Sequence, residues 1–166
     1  GVAMLRVRLR GLVEPRVVRL GLSWGAVAPL VEEVDSVAEL REAASDPSGF
    51  VAQLAARLGP EAVVAMRARL ARLVRPQVEA CGLAWEAAEP VVAELSTVAA
   101  LRSAIEDVEG FLLRVAERAG AAGVAMLRVR LRGLVEPRVV RLGLSWGAVA
   151  PLVEEVDSVA ELREAA

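Results

Sequence analysis

Histidine, lysine, tyrosine and asparagine are absent from this chain of 166 residues. Without histidine there is no imidazole to act as a general base or a metal ligand, so a Ser-His-Asp catalytic triad is excluded. Without lysine there is neither a Schiff base nor the lysine of a phosphate-binding P-loop. All 20 cationic side chains are arginines, and 22 acidic residues bring the net charge to −2. The composition therefore favours a protein that is not an enzyme and that holds no cofactor.

Cysteine is nearly absent, since Cys81 is the single one and cannot form a disulfide within the chain. A reactive thiol needs a positive neighbourhood, such as a histidine or a helix N-terminus. Cys81 lies instead at the predicted C-terminal end of a helix, where the helix dipole disfavours a thiolate. We interpret it as a small apolar core residue rather than a nucleophile.

Long apolar runs are also missing. The longest uncharged stretch covers residues 20–31 and is broken by Gly25 and Pro29, whereas a membrane span needs about 20 apolar residues. Arginines at positions 6, 8 and 10 interrupt the first apolar stretch, where a signal peptide would have its hydrophobic region. Because 55% of the residues are hydrophobic, disorder is excluded as well. We expect an ordered intracellular chain without a membrane span.

An exact internal repeat dominates what is present. Residues 1–44 recur without a single change at residues 123–166, and half of that offset, 61 positions, reveals a weaker repeat. The pairs matched at this spacing are Pro15 and Pro76, Gly21 and Gly82, Trp24 and Trp85, Pro29 and Pro90, Asp46 and Asp107, Phe50 and Phe111, and Gly59 and Gly120. The chain thus divides into a first repeat (1–61), a second repeat (62–122) and an incomplete third repeat (123–166). This period differs from those of tetratricopeptide, ankyrin and HEAT repeats.

Each repeat is predicted to contain four helical segments, because alanine, leucine, arginine and glutamate dominate and convincing strand-like alternation is missing. In the first repeat we expect a helix over 2–20 that ends at Gly21 and is kinked or split near Val13 by Pro15. The second segment starts at Ser23 and reaches Val34. The third has a capping box that opens at Ser36, and it ends near Ala44. The fourth has Asp46 as N-cap, Pro47 as its first residue and Gly59 as its end.

Arginines are concentrated in the first segment of each repeat. Residues 1–22 contain five arginines and one glutamate, whereas residues 23–61 contain two arginines and seven acidic residues. Two interpretations follow: a groove that tracks a phosphate backbone, or ion pairs with acidic residues of the neighbouring repeat. The near balance of charge within each repeat favours ion pairs. The candidate anion- or partner-binding residues are Arg6, Arg10, Arg67, Arg72, Arg75, Arg128 and Arg132.

One tryptophan recurs at the start of the second segment of every repeat: Trp24, Trp85 and Trp146. Such a series could form a stacking platform for nucleic-acid bases or for an aromatic ligand. One large aromatic residue per repeat is more typical of a core anchor, so we predict that all three are mostly buried. The acidic run from Glu32 to Asp35 could suggest a divalent cation. Its charge is mostly lost in the second repeat, so we interpret it as a solvated face.

The sequence therefore predicts an all-α fold in which 61-residue units stack as an α-solenoid or superhelix. The favoured function is a non-catalytic scaffold or protein-binding array, and the alternative is nucleic-acid binding through the arginine-rich first segments. The first and third repeats carry the apolar pattern of an interior unit rather than of a polar cap. The third repeat also has no counterpart of residues 45–61. We therefore expect self-association through the ends.

Overall fold

The computed structural model describes residues 1–154, and over this range the chain is all-helical, without a strand. The last part of the third repeat, residues 155–166, lies outside the described residues. The ten helices found within residues 1–154 are α1 (Val2–Arg19), α2 (Trp24–Glu32), α3 (Val37–Ser45), α4 (Pro47–Leu58), α5 (Pro60–Ala80), α6 (Trp85–Ala93), α7 (Val98–Glu106), α8 (Val108–Ala119), α9 (Ala121–Arg141) and α10 (Trp146–Glu154).

Each of the four predicted segments of the first repeat is one helix, and the ends agree within about two residues. The local reason is side-chain capping, in which an oxygen accepts a hydrogen bond from a free backbone N–H of the first turn. Ser23 accepts from the Ala26 amide at 3.2 Å and Ser36 from the Glu39 amide at 3.1 Å. Asp46 accepts from the Gly49 amide at 3.1 Å, with Pro47 directly after it.

Of the two effects predicted for Pro15, a kink or a split near Val13, the split is wrong, because α1 continues through the proline to Arg19. Pro15 lies on the exposed face of the helix, so the Gly11 carbonyl, which loses its amide partner to the proline, is accessible to solvent. One turn before Arg16, the carbonyl of Leu12 accepts a hydrogen bond from the Arg16 side chain. In α5 the equivalent Gln77 donates to the carbonyl of Leu73 at 3.3 Å.

A stripe of apolar residues at four-residue spacing forms the buried face of each first helix. In α5 the stripe is buried along its whole length, and it consists of Ala62, Met66, Leu70, Val74 and Val78. In α1 the stripe is buried from Leu9 onward, while its first two positions, Gly1 and Leu5, are not. This spacing keeps the residues on one side of an α-helix, which is why it defines the side that packs.

Contacts divide the chain into two compact units, residues 1–70 with 95–106, and residues 71–94 with the described residues from 107 onward. The first unit contains α1–α4, the N-terminal half of α5, and α7. In it α1 packs on α2, α3 and α4, and α7 packs on α4. The second unit contains the remainder of α5 with α6, α8, α9 and α10. There α9 packs on α8 and α10, and α6 packs on α8.

Candidate interaction surfaces of the first helices

Arg6 and Arg67 hold the C-terminal ends of the second helices. The Arg6 guanidinium donates to the carbonyl of Val34 at 3.2 Å and to that of Glu32 at 3.4 Å. Arg67, at the same position of the second repeat, donates to the carbonyl of Leu95 at 2.8 and 3.2 Å. Carbonyls at a helix C-terminus lack amide partners and carry partial negative charge, so a guanidinium there satisfies them and complements the helix dipole. These two arginines are therefore engaged within the fold.

Three further candidate arginines cover the tryptophans. Arg10 lies over the ring of Trp24 at 5.2 Å, and Arg132 lies over Trp146 at the same distance. In the second repeat Arg75 covers Trp85 at 5.8 Å. Each of these cations also pairs with a glutamate one helical turn later, and the pairs are Arg10 with Glu14 at 3.1 Å, Arg75 with Glu79 at 2.6 Å and Arg132 with Glu136 at 3.1 Å.

The tryptophans are mostly but not fully buried, at the edge of the core rather than at its centre. The predicted anchor is thus complemented by a guanidinium stacked on each ring. Such a cation–π contact contributes about 0.5–1 kcal/mol at an exposed site. A ring already covered in this way presents less of its face to a base, so the arrangement weighs against the stacking platform.

The arginine that covers the tryptophan lies one helical turn later in the first helix of the second repeat than in that of the first repeat. The position matching Arg10 is Ala71 there, and the position matching Glu14 is Arg75. A shift of four residues returns a side chain to nearly the same side of an α-helix. The contact is therefore kept although the sequence position is not.

This equivalence can be tested by transplanting the first-repeat residues. We expect Arg75→Ala to lower the free energy of unfolding by about 0.5–1.5 kcal/mol, since it removes a cation–π contact and an ion pair. The triple variant Ala71→Arg, Arg75→Glu and Glu79→Val restores the first-repeat arrangement, and we expect it to lie within about 0.5 kcal/mol of wild type. Urea unfolding measures both. A triple variant as unstable as Arg75→Ala would show that the shifted pair is not equivalent.

The two remaining candidate arginines differ from these five. Arg72 is exposed, and no hydrogen bond or ion pair to another residue of the described range 1–154 is found for it. Arg128, the third-repeat counterpart of Arg6, is half-buried and is not a free cation. Most of the seven candidates are thus engaged with groups of their own chain.

An arginine–glutamate ion pair joins the fourth helix to the end of the second helix in each of the first two repeats. Arg57 pairs with Glu33 at 2.7 Å, and Arg118 pairs with Glu94 through both guanidinium nitrogens. The hydrogen bond from Arg118 lowers the pKa of the Glu94 carboxyl, and that carboxylate raises the pKa of Arg118 in return. All four side chains are well exposed, so these pairs fix the helix ends but add little stability.

Contacts between successive repeats involve residues that the sequence did not single out. In the first unit the Arg69 guanidinium of α5 donates to the carbonyl of Arg19, at the end of α1, at 3.1 Å. The adjacent Gly21 has φ +83°, and a Cβ there would meet Arg69 and, at 3.1 Å, the carbonyl of Ala65. Glycine suits this turn for two reasons. It adopts the left-handed backbone conformation without strain, and it leaves room for the close approach of α5.

In the second unit the contact between repeats is made by α8 and α9. Gly123 is buried, and a Cβ on it would overlap the backbone of Ala116. Arg130 of α9 pairs with Glu109 of α8. This pair joins a first-helix arginine to an acid of the neighbouring repeat. The pairs Arg10 with Glu14, Arg75 with Glu79 and Arg132 with Glu136 each lie within a single helix.

The cysteine and the acidic run that the sequence offers as reactive or metal-binding groups do not form such a site within residues 1–154. Cys81 is half-buried just after α5, and the acidic residues Glu32, Glu33 and Asp35 are exposed, which confirms the solvated face. Within residues 1–154 no group of three acidic or cysteine side chains is placed to hold a metal ion. A groove of about 410 Å³ between α3 and α4 has carboxylates of Glu39, Glu42 and Asp46 in its lining.

No helix of the described range is both long enough and apolar enough to span a bilayer. No protein-family model matches the chain, and no match was found among curated proteins or among solved structures.

Proposed function

We propose that this protein is a non-catalytic scaffold, in which helical repeats stack through their first helices as an α-solenoid or superhelix and present a protein-binding array. The observation that carries the proposal is the contact of one repeat's first helix with the preceding repeat. In the first unit this contact is Arg69 and Ala65 against the turn at Gly21, and in the second unit it is Gly123 against Ala116. Units that bury their faces on their neighbours are the defining feature of repeat arrays.

Composition supports the non-catalytic part of the proposal. The chain offers no histidine or lysine, and its one thiol lies at a helix C-terminal end. Many of the arginines bind carbonyls, tryptophans and carboxylates of their own chain. A stack held by such contacts has regular helical faces that other proteins can bind.

The stacking is tested by lengthening the chain. Appending the sequence of residues 45–122 after Ala166 completes the third repeat and adds a fourth. We expect the free energy of unfolding to rise by about 3–9 kcal/mol per repeat, at roughly 0.05–0.15 kcal/mol per residue. Urea unfolding followed by circular dichroism gives this value, and ellipticity per residue serves as the control. A separate second transition, with the first one unchanged, would contradict a stacked array.

Nucleic-acid binding, the alternative function, is separated from the scaffold by its salt dependence. At least five of the seven candidate arginines have partners within the chain, namely Arg6, Arg10, Arg67, Arg75 and Arg132. Fluorescence anisotropy with generic DNA and RNA would show an affinity that falls steeply with salt if the first helices bind phosphates. We expect weak binding without a sequence preference.

A further inference from the structure

Two largely apolar surfaces are more exposed than the identical sequence is elsewhere in the chain. The first, called here the turn surface, consists of Leu142, Gly143 and Leu144 between α9 and α10. The second, called the α1 surface, consists of Gly1, Met4, Leu5 and Arg8. These four residues share one side of α1 because their spacing is three, four and seven positions.

The first repeat shows what covers the sequence of the turn surface. Leu20 is 4% exposed, whereas the identical Leu142 is 77% exposed. The difference is not local, since both leucines end the same helix before the same left-handed glycine. At the first position the N-terminal half of α5 lies against the turn, with Arg69 bonded to the Arg19 carbonyl.

The third repeat shows that the sequence of the α1 surface also packs. Met4 is 77% exposed, whereas the identical Met126 of α9 is 2% exposed. The buried neighbours of Met126 on this face are Gly123 and Leu127. The same helix face is therefore solvated once and enclosed once within a single chain.

We propose that a second molecule of this chain covers the turn surface with its α1 surface, in a head-to-tail contact. By the register of the first unit, Met4 and Arg8 take the places that Ala65 and Arg69 hold against Gly21. Arg8 of one molecule then donates to the carbonyl of Arg141 of the next, as Arg69 does to Arg19. This inference rests on the proposed function, because it extends the stacking of repeats from within one molecule to between molecules.

A head-to-tail contact uses two different surfaces, so it does not close at a dimer unless the assembly forms a ring. The surfaces are small, and contacts below about 1,200 Å² are typically weak. Sedimentation velocity of the full chain from about 5 µM to about 500 µM covers this range of affinity. We expect the weight-average sedimentation coefficient to rise with concentration, through dimers to larger species. A monomer over the whole range would overturn the proposal.

Two single variants and their mixture test the polarity of the contact. Leu142→Glu disables the turn surface and Met4→Glu the α1 surface, and each replaces an exposed residue, so neither is expected to unfold the chain. Each variant alone should stay monomeric. An equimolar mixture should form dimers and nothing larger, because one intact surface of each kind remains. Val64→Glu, at an exposed site outside both surfaces, is the matched control and should associate like wild type.

Other outcomes overturn the proposal. A Met4→Glu chain that still dimerises while Leu142→Glu does not would indicate a symmetric contact of two turn surfaces. Association that survives both substitutions would place the contact elsewhere. If circular dichroism shows that either variant is unfolded, Arg8→Glu tests the same contact from the α1 side. The two proposals can fail separately. If the wild-type chain does not associate but the lengthened chain is more stable, this inference is refuted and the stacked scaffold is not.

Discussion

Leu20→Ala is expected to lower the free energy of unfolding by about 2–5 kcal/mol, whereas Leu142→Ala should change it by less than about 0.5 kcal/mol. The two leucines occupy the same place in identical sequences, residues 1–44 and 123–166. Leu20 is enclosed, so truncation removes apolar contacts and leaves a cavity. Leu142 projects into solvent, so truncation removes little.

The comparison has an internal control, because helix propensity and turn chemistry are the same at both sites. Urea unfolding at a few micromolar, where association is least, gives both values from one fit procedure. Equal effects would show that exposure does not differ between the two repeats, and both the stacking and the head-to-tail contact would then lose their basis.

Gly123→Ala is expected to destabilise the chain by about 1–3 kcal/mol, although alanine is the better helix former. The added methyl group would overlap the backbone of Ala116, which cannot rotate away as a side chain can. Helices α8 and α9 would have to move apart to accept it.

Gly133 in the same helix is the matched control. It is exposed, and a Cβ there meets nothing within 4 Å, so Gly133→Ala should stabilise by about 0.5–1 kcal/mol. The two substitutions are chemically identical and their predicted effects have opposite signs. A neutral or stabilising Gly123→Ala, measured by thermal or urea unfolding, would show that the two helices are not in close contact.

Glycine at this position is not dictated by the repeat, since the matching residue of the second repeat is Ala62, which is fully buried. Sequence comparison between repeats would therefore treat alanine as acceptable at Gly123. The close approach is a property of the packing of α8 on α9 and could not be predicted from residue types.

The residue types of the candidate surfaces could be predicted from the sequence, but the groups that these residues contact could not. The concentration of arginine in the first helices is plain in the sequence, and so is the regular tryptophan. That Arg6 reaches the carbonyl of Val34, 28 positions away, depends on how α1 and α2 fold against each other. The tryptophans illustrate the same limit, because periodicity indicates a core anchor and only the packed helices place a guanidinium over each ring.

The sequence by itself determined where the helices begin and end. Capping at Ser23, Ser36 and Asp46 and the left-handed turn at Gly21 involve groups within a few residues of one another, so the local sequence suffices. Tertiary structure decided whether Pro15 interrupts α1 and whether a given leucine or methionine is buried. The reason is that burial depends on which neighbour lies against a helix face, and identical residues such as Met4 and Met126 have different neighbours.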